Sequence, residues 1–356
     1  MEDAVHRKPG RALSLIGVAV GALITVGMIL WVPAETGLAT IIAGLVVGFV
    51  VTLAAHEAGH AIAASALGMP PMVIGIGPVH LQRGRRARLR RPFAPGFVMV
   101  LPDPEVPLPE IARRFRRVGL AGPPVGILAS AALGVGAGAA TGSARGLLVC
   151  AALAGVINLP SLVPVSGRTV LSDAARVRRL RWGAPTARTD AACLAILGAA
   201  FTRPPAEWPR HLLEEELVLS RDAVMDAMTL SVRAMVAEIA GDLDDAEASL
   251  DQALTLPLHP AQLGAYRAGR AYLRARAGRA EEAREDLDAV PSRTPWLRPV
   301  VRERVTAAVL LSEGRHADAR AALARARAVL DDPMAPIPCE EAGIRELEGL
   351  LAAAGH

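Results

Sequence analysis

The sequence predicts a mainly α-helical protein in two parts. A polytopic membrane domain over 1–180, with about four spans and a small β-hairpin insertion, precedes a soluble helical domain over 181–356 built of repeats. Three observations carry this reading. Apolar residues fill 52% of 356 positions and mean hydropathy is +0.34, above what an ordinary soluble chain carries. The excess lies in the first half, in four runs about as long as a bilayer requires. In the second half a glycine-centred pattern returns every 36 or 37 residues.

Residues 1–11 are polar and basic, with His6, Arg7, Lys8 and Arg11. The first span is expected over about 12–32. It is long for a signal peptide and no small-x-small cleavage site follows, so a retained helix is predicted. Pro33 to Gly37 makes a turn, and the second span follows over about 38–67. Region 68–112 has no spanning run. Met72 to Ile76 and Gly96 to Val100 read as short strands, with Val79-His80-Leu81 as a third.

Between the strand candidates lie Arg83, Arg85, Arg86, Arg88, Arg90 and Arg91, and then Arg113, Arg114, Arg116 and Arg117. Nucleic-acid binding is one reading. The positive-inside rule is favoured, because both clusters flank spans and no aromatics are interleaved for base stacking. The third span, about 118–140, opens on Gly119-Leu120-Ala121-Gly122-Pro123-Pro124. Small residues there let helices approach closely, and the prolines are expected to kink the helix or sit in its first turn. The fourth span covers about 147–165. A basic N-terminus and four spans put the N-terminus, region 68–117 and everything after Pro160 in the cytoplasm.

The second span contains His56-Glu57-Ala58-Gly59-His60. On a helix, HExxH sets two imidazoles one turn apart on one face, where both can hold one Zn²⁺. Glu57 then lies beside the open coordination position, placed to take a proton from water. Ionisable groups are costly in hydrocarbon, which makes a functional reading the default. At about 1.5 Å per residue, His56 lies roughly 27 Å beyond Leu38, near one membrane face. A catalytic zinc usually takes a third protein ligand. The three cysteines, Cys150, Cys193 and Cys339, are too far apart in sequence to suggest a disulfide framework or a Cys-based metal site.

HExxH in a membrane helix, a later Ala-Gly-Pro helix segment and Asn158-Leu159-Pro160 leading to an Asp resemble the site-2 protease family of intramembrane zinc metalloproteases. The resemblance covers residues 12 to about 180. It implies a zinc held by His56, His60 and an Asp, with Glu57 as general base, and proteolysis of a membrane protein within or beside the lipid bilayer. An eight-residue step from Asn158, common in that family, lands on Ser166, a poor zinc ligand. Ser172-Asp173-Ala174-Ala175-Arg176 resembles the form with a longer connection, so Asp173 is the expected third ligand. Alone, Asp173 also reads as a helix N-cap, a role compatible with ligation. The resemblance gives Asn158 a part in placing the substrate backbone; its amide could equally cap the fourth helix.

In the second half, Gly241, Gly278 and Gly314 each open a Gly-x-x-x-x-Ala unit, with Leu250, Leu287 and Leu323 following and Ala234, Ala271 and Ala307 preceding. These resemble tetratricopeptide repeats, over about 229–256, 266–290 and 302–330. Such a module is expected to bind a cytoplasmic protein or peptide. His211, His259 and His316 have no ligand spacing and read as surface residues. The expected function is a multi-pass zinc endopeptidase of the cell membrane. The rival is a catalytically decayed membrane adaptor that holds the repeat module, supported by Ser166. A transporter is disfavoured, because the four runs carry no obvious internal repeat.

Overall fold

The structure, a computed structural model, describes residues 9–82, 88–89, 96–164, 172–220, 222–292, 294, 297–330 and 338–354. Ser166 and five of the six arginines of 83–91 lie outside them; for Arg88 the backbone is described. The protein is mainly helical with one small sheet, and it divides into two compact units: Met1–Leu101 with Ala112–Ala187, and Pro102–Ile111 with Arg188–His356.

In the first unit, α1 (Pro9–Trp31) covers the first predicted span, and α2 (Leu38–Ala66) the second. The third helix is longer than the expected span: α3 (Leu108–Ala139) starts ten residues before Val118, so Arg113–Arg117 form its early turns. Pro123 and Pro124 lie in its interior, not in its first turn. The fourth begins as α4 (Gly142–Ala154) and tightens into a 3₁₀ stretch, Gly155–Leu162. Three of these helical segments, Leu38–Ala66, Leu108–Ala139 and Gly142–Leu162, are long and apolar enough to cross a membrane. In α1 the stretch with described side chains, Val18–Trp31, is shorter. Ile29, Leu38, Ile62, Leu128 and Val135 are all more than half exposed, an apolar surface that suits lipid.

Glycines set how closely α2 meets its neighbours. A Cβ on Gly44 would stand 2.6 Å from the Leu147 carbonyl oxygen, and one on Gly48 would run into the Ala151 backbone. A Cβ on Gly59 would stand 2.7 Å from the Ala121 carbonyl oxygen of α3. In lipid, helices associate by this sort of close packing.

The insertion is a four-stranded antiparallel sheet rather than a simple hairpin. Its strands β1 (Val73–Ile76), β2 (Val79–Gln82), β3 (Arg88–Leu89) and β4 (Gly96–Met99) lie in the order β3-β2-β1-β4. Gly75 faces both His80 and Phe97 in register. The Phe97 ring covers the bare Gly75 and meets His80 edge-on, centroids 5.2 Å apart. After the fourth span, α5 (Asp173–Arg179) completes the part of this unit that matters for the site.

The second unit opens with α6 (Ala187–Thr202), whose Ala191, Ala192, Cys193, Ala195, Ile196 and Ala199 are fully buried. Segment Pro102–Ile111 belongs with it: Arg203 pairs with Asp103 at 3.3 Å and Glu105 at 2.5 Å. After the single turn α7 (Arg210–Leu213) come three helical hairpins: α8 (Ala223–Ala240) with α9 (Leu243–Leu254), α10 (Pro260–Arg276) with α11 (Ala280–Asp288), and α12 (Pro299–Ser312) with α13 (His316–Leu330). Gly241, Gly278 and Gly314 sit in the three turns at φ +83°, +77° and +72°. Each turn closes in the same way: the amide after the glycine bonds five residues back, Asp242 to Ala237, Arg279 to Arg274 and Arg315 to Leu310, all at 2.9 Å.

Every repeat alanine and leucine named above is buried in one core that runs through the hairpins. The hairpins start three to six residues earlier than the repeat pattern suggests, because of their caps. Asp222 accepts from the Val224 and Met225 amides at 3.2 Å, while Pro260 and Pro299 stand at helix starts, where a missing N–H costs nothing. A last helix, α14 (Pro338–Ala353), follows. His211 and His259 are exposed and His316 is half-exposed.

Candidate metal centre

Residues 52–60 of α2 turn a buried face toward α3 and the 3₁₀ stretch. Thr52, His56, Glu57 and His60 are each buried despite their polarity. The two histidines stand one turn apart, ring centroids 4.8 Å apart and nearly perpendicular, with Nε2 facing Nε2 at 3.1 Å. Asp173 closes the third side. Its Oδ2 is 3.1 Å from His56 Nε2 and its Oδ1 is 3.5 Å from His60 Nε2. One ligand atom from each of the three residues lies within 4.8 Å of the other two.

The His60 Nδ1–H donates to the Val118 carbonyl at 2.7 Å. In the neutral ring this leaves a bare lone pair on Nε2, the tautomer a metal ligand needs, and the carbonyl fixes the ring plane. Val118 is itself positioned by α3, whose Arg114 donates to the Leu67 carbonyl at 3.1 Å and ties the end of α2 to that helix. Gly122 gives the His60 ring its room: a Cβ there would stand 2.7 Å from Cδ2 and closer still to Nε2 and Cε1. Gly126 does the same for His56, where a Cβ would lie 3.3 Å from the His56 Cβ. The small residues at 119–126 therefore form the cradle of the imidazoles as well as a helix contact.

Asp173 does not cap α5. Ser172 does: its hydroxyl accepts from the Ala175 amide at 3.2 Å and donates to the Val163 carbonyl at 2.6 Å. This leaves the Asp173 carboxylate free to face the histidines. Burial alone would raise its pKa. When the imidazoles carry protons on Nε2, hydrogen bonds with His56 and His60, with the charges of His60 and Arg176, outweigh that and hold the carboxyl well below the usual range.

The donor set passes a simple fit test. Two imidazole nitrogens and two carboxylate oxygens crowd one point, and the His60 tautomer points an acceptor into that crowd. A cation there meets all of them at once. Asn158 is buried in the 3₁₀ stretch, and its Nδ2 has no acceptor among the described residues. That atom is 3.5 Å from where a Gly126 Cβ would be, so the amide lies beside the His56 side of the site. Glu57 packs against Gly96, the first residue of β4: a Cβ there would stand 3.0 Å from the Glu57 carboxyl carbon and closer to Oε1. Sequence reasoning missed Val118, Gly122, Gly126 and Gly96 as parts of the site; only Gly122 left a readable trace, in the small-residue run 119–122.

Comparisons with protein-family models, with curated proteins and with solved structures found no match for this chain.

Proposed function

We propose that the chain is an intramembrane zinc endopeptidase, a multi-pass protein of the cell membrane that cleaves membrane-embedded or membrane-adjacent protein segments. One observation carries the reading: His56, His60 and Asp173 converge to within metal-binding distance of one another, and Glu57 lies next to His56 on the same buried helix turn. Three helices long and apolar enough to cross a membrane, with an apolar outer surface, support the setting.

His56, His60 and Asp173 would hold the zinc, which would supply Lewis-acid activation of a water at neutral pH. Glu57 takes the proton from the attacking water and passes it to the leaving amine. Asn158 donates an Nδ2–H to the substrate carbonyl, which gives that buried amide the acceptor it otherwise lacks. A helical substrate must unwind before attack. Among the described residues β4 pairs only with β1, so its other edge, which starts beside Glu57, can hold the unwound segment as an added strand. Of the second unit we propose that the hairpins are a tetratricopeptide-like module in the cytoplasm that binds a protein or peptide. No nucleic-acid partner is proposed, because the arginines of 83–117 are read as flanking membrane spans.

The test is Glu57→Gln, expressed beside reporter fusions of single-span membrane helices. It should keep the metal and abolish cleavage of any fusion that the wild type cuts. Retained cleavage removes Glu57 as the general base.

A further inference from the structure

α14 is not placed as a terminal cap would be. Stacked repeats touch only their neighbours, so a cap on the last hairpin should meet α12 and α13 alone. α14 does pack on those two, through Ile344, Leu347 and Leu351, all 5% exposed or less. It also reaches past them. Glu346 pairs with Arg276 of α10 at 2.5 Å, and Arg276 in turn pairs with Glu238 of α8 at 3.4 Å. Glu340 pairs with Arg304 of α12 at 2.8 Å, and Glu348 with Arg327 of α13 at 2.7 Å. The Arg304 guanidinium lies over the Tyr272 ring of α10, 4.2 Å from its centroid. Gly343 lets α14 settle onto that guanidinium: a Cβ there would stand 2.8 Å from an Arg304 nitrogen. Thus Tyr272 carries two arginines, Arg276 and Arg304, on its ring, and these two together with Arg327 of α13 are each matched by one glutamate of α14.

We propose that the hairpin face beneath α14 is a binding groove for an acidic amphipathic helix, that α14 is its built-in occupant, and that a partner helix of the same chemistry displaces it. The partner would present apolar side chains at i, i+3 and i+7, as Ile344, Leu347 and Leu351 do, flanked by carboxylates. Docking and release of α14 would gate access to the module. The inference rests on reading the hairpins as a peptide-binding module and uses nothing of the metal centre.

Cys339, at the start of α14, reports the change. Burial, with Glu340 beside it, pushes its thiol up to about 12, so it alkylates slowly while α14 is docked. The experiment takes the full chain in detergent and adds a labelled synthetic peptide of residues 338–354 carrying Cys339→Ser. Binding is read by anisotropy, and alkylation of the protein's own Cys339 is followed alongside. Bound peptide should speed alkylation by about tenfold or more, and a peptide with Glu340, Glu346 and Glu348 all changed to Gln should not. Binding with Cys339 still protected overturns the assignment of α14 while leaving a binding module. Equal acceleration by both peptides overturns the acidic partner. No binding, with α14 amides exchanging hydrogen only together with those of α12 and α13, makes α14 a permanent cap and overturns the inference entirely. Exchange of α14 alone, without peptide binding, overturns the module itself.

Discussion

The Nδ1–H of His60 is committed to the Val118 carbonyl, and this one bond decides what Nε2 can do. In the neutral ring it turns a lone pair toward His56 Nε2 and Asp173, so these nitrogens and carboxylate oxygens stand 3.1–3.5 Å apart with too few protons to bridge every contact, and a cation would satisfy them together. Room for the ring comes from the missing side chain at Gly122. Gly122→Ala is therefore expected to lower zinc affinity by about 10–100-fold, read by competitive metal titration. Gly134→Ala on the same helix should leave it unchanged, since a Cβ there meets only the Ala152 Cβ at 3.9 Å. At this scale the HEAGH spacing was legible because it is local, and Asp173 was reached only through the resemblance of Ser172–Arg176 to a family motif. The assignment of the α5 cap was not legible: Ser172 and Asp173 are both good caps, and only the Val163 carbonyl, nine residues away, decides between their hydroxyl and carboxylate. Gly96 against Glu57 was invisible for a similar reason, being a contact between a strand and a helix far apart in the chain.

Helices and strands followed hydropathy and turn residues closely, and missed where capping or charge extended them. The arginines at 113–117 fall outside the expected third span because they break the apolar run. They lie instead in the early turns of α3, interleaved with the buried Ile111, Ala112 and Phe115. The hairpin starts moved for the opposite reason: Pro260 and Pro299 look like breakers but are good first-turn residues. The turn glycines were legible in full, and they can be tested separately from packing. At Gly278, φ is +77° and a Cβ would meet nothing within 4 Å, so the cost of Gly278→Ala is conformational. Denaturant unfolding followed by circular dichroism should show a loss of about 1–2 kcal/mol. Gly349→Ala, in the ordinary helical backbone of α14 with nothing near its Cβ, should instead gain about 0.5–1 kcal/mol.

For the whole molecule, hydropathy separated an apolar first half from a polar second half, and the division into two units falls near it, at Ala187. Segment Pro102–Ile111 was not separable by composition, because its membership rests on Asp103 and Glu105 meeting Arg203, about a hundred residues later. α14 left no mark in the repeat pattern for the same reason. The proposed topology follows from arginines at 113–117 and 176–181, on the side where positive charge is retained. In a chain freed of its three cysteines, Ser143→Cys should react with an impermeant maleimide from outside the cell, and Thr255→Cys only after permeabilisation. Labelling of Thr255→Cys from outside, with Ser143→Cys reacting only after permeabilisation, would reverse the topology. The central claim is the three-residue metal centre, and the metal content of the purified full chain tests it most directly. The wild type should carry about one zinc, Asp173→Ala should lose it, and Ser166→Ala should keep it. A wild type without metal after zinc-supplemented purification, or an Asp173→Ala chain that keeps a full complement, would contradict the account.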